Sequence, residues 1–206
     1  MKRPLDHPAG TGQALEKVFF LADGIDQQGS IFGADDLIDQ GKRLIRTIRK
    51  QGTDMPRFPA IADECRRIRS ERGSLPPGQA VATTAGRLQA QYVIHAVGPV
   101  WHGGKDDEGK TLSSCYRESM RIADELKLHS IAFPAISTGI FGYPVEQAAW
   151  VAIPTLIDSL RSAEHLVLVF MVLFDKPMLD VFANTALAQR KPESAHPYEV
   201  SIATYA

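Results

Sequence analysis

An α/β sandwich, a central sheet with helices on both faces, is the fold this sequence predicts, and three observations predict it. Short apolar segments suited to strands alternate with longer stretches patterned as helices. One short segment, His165–Phe174, is apolar almost throughout, as expected of a strand buried on both faces in the middle of a sheet. Neither an internal repeat nor a linker divides the chain, and 206 residues with 44% hydrophobic content suit one medium-sized domain.

Residues 1–15 carry prolines and glycines without periodicity and read as a flexible arm. Lys17–Ala22 is the first strand, ended by Asp23-Gly24. Asp35-Asp36 then suit a helix N-terminus, followed at helical spacing by Leu37, Ile38, Leu44, Ile45 and Ile48. The opposite face carries Lys42, Arg43, Arg46, Arg49 and Lys50 and reads as solvated rather than phosphate-binding. A second helix covers Ala60–Arg72 and is closed by Gly73. Strands follow at Gln79–Thr84 and Gln91–Val97, with a turn at Gly86. Gly98-Pro99 opens a loop rich in glycine and charge that runs to Gly109, and Leu112–Leu126 is patterned as a helix. After a short strand at Ile131 come a helix over Val145–Leu160, the apolar strand, and a last helix over Met178–Gln189. In the tail from Arg190, Val200–Ala203 is suited to an edge strand.

A net charge of −1 gives no general attraction to nucleic acid or to an anionic membrane. Cys65 and Cys115 are too few for a disulfide framework or a zinc cluster, and each, lying in a predicted helix, reads as a buried, inert thiol. No metal-ligand cluster and no cofactor motif stands out. The N-terminal Met-Lys-Arg-Pro lacks the apolar run of a signal peptide, and the longest apolar run, Leu166–Phe174, is too short to span a bilayer. A soluble, cytoplasmic protein is expected.

Two stretches invite a phosphate. Ile131–Pro144 begins as a strand, turns polar at Ser137, passes Gly139 and Gly142, and leads into a helix. Backbone N–H groups converge at such a junction and bind anions, and glycines let a ligand approach closely. The loop contains no Lys or Arg, so an anion here would rest on N–H groups. An ordinary strand-to-helix turn fits the same spacing. The second stretch, Gly104–Thr111, matches the P-loop pattern and lies between a strand and a helix, with Leu166–Asp175 resembling the strand whose Asp holds magnesium. Asp106, Asp107 and Glu108 would however stand where the phosphates must lie, so an NTPase remains the remote alternative.

Several stretches together resemble the macro domain family, in particular its MacroD-type branch of ADP-ribose hydrolases and deacetylases. They are Pro59–Cys65, Gly78–Ala80, Tyr92-Val-Ile-His-Ala-Val-Gly-Pro-Val-Trp101, Cys115–Arg117 and Ile131–Pro144 with Ala148-Ala149, in the family's order from about 59 to 175. The resemblance implies a three-layer α/β/α fold with a mixed central sheet and ADP-ribose in a cleft at the strand ends. Ser137, Thr138, Gly139, Ile140, Phe141 and Gly142 would form the loop around the diphosphate. Phe141 would stand against the distal ribose, and Tyr143 would shape the loop. His95, tempting as a general base, is expected to be a hydrogen-bonded core histidine.

Residues 1–58 depart from the family, so 59–190 read as the macro domain core and 191–206 as a tail. The Asn-Ala-Ala-Asn and glycine-run segments of MacroD-type chains are missing. Asp23 is the candidate for the adenine contact, and Asp35, although better explained by helix capping, is the candidate catalytic carboxylate. The resemblance implies binding of ADP-ribose, or of an ADP-ribosylated protein or metabolite. Hydrolysis of mono-ADP-ribosyl linkages or of O-acetyl-ADP-ribose is one expectation, and a non-catalytic ADP-ribose reader is the alternative.

Overall fold

The computed structural model describes residues 16–22, 59–86, 90–189 and 198–203. In chain order these form β1 (Glu16–Ala22), α1 (Pro59–Arg72), β2 (Ala80–Thr84), β3 (Tyr92–Ala96) and α2 (Glu108–Glu125). They continue with β4 (Ser130–Phe133), α3 (Val145–Ser162), β5 (Leu168–Leu173), α4 (Lys176–Gln189) and β6 (Tyr198–Ala203). The helical pattern after Asp35 lies outside the described residues.

The apolar run before Phe174 becomes β5, with Leu168, Val169, Phe170, Met171 and Leu173 buried. It is flanked on both sides, by β4 in parallel and by β1 antiparallel, in a mixed sheet of order β4-β5-β1-β6. Continuous apolarity therefore does mark an interior strand here. The tail supplies β6, which pairs antiparallel with β1 at the edge.

Amphipathic spacing explains how the helices close over this sheet. α2 buries Leu112, Cys115, Tyr116, Met120 and Ala123, alternate steps of three and one or four along one face. α3 buries Ala148, Ala149, Ala152, Ile153, Leu156, Ile157 and Leu160. Both stripes join β5 and the inner face of α4, including Leu179 and Phe182, in one core cluster.

The central sheet differs from expectation in one respect. β2 and β3 form a separate antiparallel pair, so β3 and β4 each have one hydrogen-bonded neighbour among the described strands. α2 spans the interruption and contacts β2, β3 and β4. On β3, successive side chains point to opposite faces: Ile94 packs against the core cluster, and His95 lies beside Cys65 of α1. The hairpin thus has helix α1 on one face and the core on the other, the layering predicted for the whole domain.

Candidate ligand-binding loop

The loop between β4 and α3 is built by its own backbone. Ser137 takes a left-handed conformation with φ of 66°, and Gly142 another with φ of 68°. The Tyr143 N–H donates to the Ser137 carbonyl at 3.0 Å, and the Gly142 N–H to the Gly139 carbonyl at 2.9 Å. The Thr138 hydroxyl turns back to the Ala135 carbonyl at 2.9 Å. The Ser137 Oγ is buried and has no partner among the described residues. What remains facing outward is backbone and apolar surface. The N–H groups of Gly139, Ile140 and Phe141 have no hydrogen-bond partner among the described residues, Ile140 is fully exposed, and Phe141 is 39% exposed. Three successive unpaired donors on an uncharged loop can accept an anion without any cationic side chain.

The loop is held from below by the other stretch that carries the family resemblance. An ideal Cβ on Gly98 would lie 2.2 Å from the Ser137 Oγ, so the two segments touch at that point. The Trp101 N–H donates to the Phe141 carbonyl at 2.9 Å. The rings of Trp101 and Tyr143 pack with centroids 4.5 Å apart, and Tyr143 is buried, in keeping with a residue that shapes the loop. From α2, the Tyr116 hydroxyl accepts the Ile136 N–H at 3.1 Å and donates to the Pro134 carbonyl at 3.5 Å. Its burial pushes the phenol pKa up, so this hydroxyl stays protonated.

The P-loop alternative fails on geometry. α2 begins at Glu108, ahead of the first apolar position Leu112, because Glu108 is held by the loop before it. Its buried carboxylate accepts the N–H groups of His102 at 2.9 Å, Gly104 at 3.1 Å and Asp106 at 2.7 Å. Two N–H groups of the pattern, those of Gly104 and Asp106, are thus taken by the chain's own anion. Burial pushes the Glu108 pKa up, but the N–H groups of Glu108, His102, Asp106 and Gly104 outweigh it and bring it down to about 2.

The same place contains a cluster the sequence did not suggest: oxygen or nitrogen atoms of His102, Asp106 and Glu108 lie within 4.8 Å of one another. With the Glu108 carboxylate committed to backbone donors, a cation would find an exposed His102–Asp106 pair, already bonded at 3.1 Å.

His95 is a hydrogen-bonded histidine, with the Thr83 hydroxyl 2.9 Å from Nε2. Burial lowers its pKa, opposed by Glu64, so the ring is neutral at physiological pH. Cys115 is buried as expected, whereas Cys65 is only partly buried, its sulfur 3.8 Å from His95 Nε2. A groove of about 570 Å³ between the C-terminal halves of α2 and α3 is lined by Arg117, Arg121, Asp124, Lys127 and His165, among others, and includes no residue of the 134–144 loop.

Among the predicted site residues, Ser137 to Gly142 are contiguous in this loop. Asp23 and Asp35 lie outside the described residues. The strand leading to Asp23 ends at Ala22, beside the Leu168 end of β5, while the loop leaves from Phe133, opposite Met171 and so at the other end of the sheet. Gly98, Tyr116 and Glu108 escaped the sequence reading as functional positions. Gly98 and Tyr116 carried a signal there only as parts of the Val-Gly-Pro and Cys115–Arg117 segments of the resemblance, and Glu108 only as a charge set against the P-loop.

A family model described as Macro domain matches residues 38–152. That is more than half of the chain, and this protein belongs to the macro domain family. The match begins ahead of Pro59, where the legible resemblance starts. The chain is similar to a macro domain-containing protein of Caldanaerobacter subterraneus subsp. tengcongensis, with 48% identity over 118 residues, 57% of this chain and 67% of the relative. It is similar to an O-acetyl-ADP-ribose deacetylase of Klebsiella pneumoniae, with 44% identity over 124 residues, 60% of this chain and 71% of the relative. Among solved structures, the Oceanobacillus iheyensis macrodomain with ADP gives a TM-score of 0.58 at 32% identity, covering 61% of this chain and 67% of that one. A mutant of that macrodomain with ADPR gives 0.57 at 32% identity, covering 61% and 69%.

Proposed function

We propose that this chain binds ADP-ribose through residues 137–142, with the diphosphate on the unpaired N–H groups of Gly139, Ile140 and Phe141. Those three donors, unpaired among the described residues on a loop without a charged side chain, carry the reading. Backbone donors suit a diphosphate that must be wrapped closely, and the half-exposed Phe141 ring offers an apolar face for the distal ribose. The Oceanobacillus macrodomain, solved with ADP and as a mutant with ADPR, supports this ligand class.

Hydrolysis of an ADP-ribosyl or O-acetyl-ADP-ribose linkage is the second reading, favoured by 44% identity to the Klebsiella deacetylase. In that reaction the loop fixes the substrate so that a water attacks at the distal ribose, and a carboxylate or amide orients the water. Asp35 is the residue assigned that role.

Calorimetry with ADP-ribose, beside turnover of O-acetyl-ADP-ribose and of a mono-ADP-ribosylated protein, tests both readings. Binding with turnover that Asp35→Ala abolishes supports the hydrolase. Binding without turnover leaves a reader of ADP-ribose or of ADP-ribosylated proteins. Absence of binding overturns the assignment of the loop.

A further inference from the structure

We propose that Gly98 is a positioning residue for the ligand loop: its missing Cβ is what holds Ser137 in place and presents the N–H groups of 139–141. This inference rests on the ADP-ribose reading of that loop. A Cβ at Gly98 would meet the Ser137 Oγ at 2.2 Å and the Ile136 Cγ2 at 2.8 Å, both far inside ordinary contact. The backbone of Gly98 itself is not left-handed. Glycine is therefore required for the space beside it rather than for its own conformation.

Ser137 bears the marks of a residue held by its surroundings. It is one of three non-glycine residues with positive φ among the described residues, a conformation disfavoured for a side chain with a Cβ. Its Oγ is buried without a partner among the described residues, pressed into the space Gly98 leaves. The neighbours restrict escape: Tyr116 holds the Ile136 N–H, and the Tyr143 N–H holds the Ser137 carbonyl. The far end of the loop is fixed by the Trp101 N–H on the Phe141 carbonyl. Residues 98–101 therefore clamp the loop at 136–137 and again at 141, and the three unpaired donors sit at or between those clamps. A methyl group at 98 displaces the first clamp and misaligns the donors, although it touches no ligand.

The test is calorimetry with ADP-ribose on wild type, Gly98→Ala, Ser137→Gly and the double variant, each checked by thermal unfolding. Ser137→Gly removes the atom that a new Cβ meets first, and glycine accepts the left-handed backbone. The expected result is a Kd weakened about tenfold or more by Gly98→Ala in a protein still folded at the assay temperature, since misplacement of contacts by about an ångström is costly. Ser137→Gly alone is the reference for the double variant, which should bind more tightly than Gly98→Ala and recover towards that reference. Undiminished binding by Gly98→Ala, or a defect in folding or binding that Ser137→Gly does not relieve, overturns the proposal. Wild type that does not bind ADP-ribose overturns the ligand reading itself, an outcome distinct from either.

Discussion

At the loop, each side chain with a polar group near the proposed diphosphate turns away from it: the Ser137 Oγ is buried and the Thr138 hydroxyl bonds to Ala135. Affinity then rests on backbone donors, which makes an added charge a clean probe. A Cβ at Gly139 meets nothing within 4 Å among the described residues and its φ is not left-handed, so Gly139→Glu should fold normally. Two phosphate charges at roughly 4 Å from the new carboxylate cost about 2 kcal/mol even at the dielectric of water, roughly thirtyfold in Kd. Calorimetry on this variant should show that loss or more, and an unchanged Kd would remove the diphosphate from the loop. Sequence made the loop legible because glycine spacing and the absence of Lys and Arg are local properties. Gly98 was not legible as a support, because its role depends on which atoms fold against it.

At the level of elements, a buried carboxylate decides where α2 begins. Glu108 has the lower pKa in the folded state, about 2 against an ordinary 4.5, because backbone donors stabilise its ionised form. Such a group stabilises the fold above the unfolded pKa, and that contribution is lost as pH falls through the folded value. Urea unfolding of wild type and Glu108→Gln should therefore differ most at neutral pH, and the gap should narrow between about pH 4.5 and pH 2. A gap that does not change with pH would contradict the ionised carboxylate at this site. The P-loop pattern marks no phosphate site here for a physical reason. Spacing records glycines and a helix start, whereas occupancy of the donors by Glu108 is a tertiary fact. β5 was legible for the opposite reason: burial on both faces is written directly into composition.

Across the whole molecule, the two stretches that carry the family resemblance, 92–101 and 131–144, are brought together at one place. β3 delivers Gly98 and Trp101, β4 delivers Ser137 and Phe141, and α2 supports both through Tyr116 and its contacts with each strand. The interruption of the sheet between β3 and β4 had no signature in the sequence, since hydrogen-bonded neighbours are not encoded in the pattern of either strand alone. The central claim is that ADP-ribose sits on this junction rather than in the groove between α2 and α3. A titration with ADP-ribose followed by amide resonances tests it most directly. The largest shifts are predicted at Gly139, Ile140 and Phe141, with smaller ones at Trp101. Shifts confined to Arg117, Lys127 and His165 of the groove, or none at all, would contradict it.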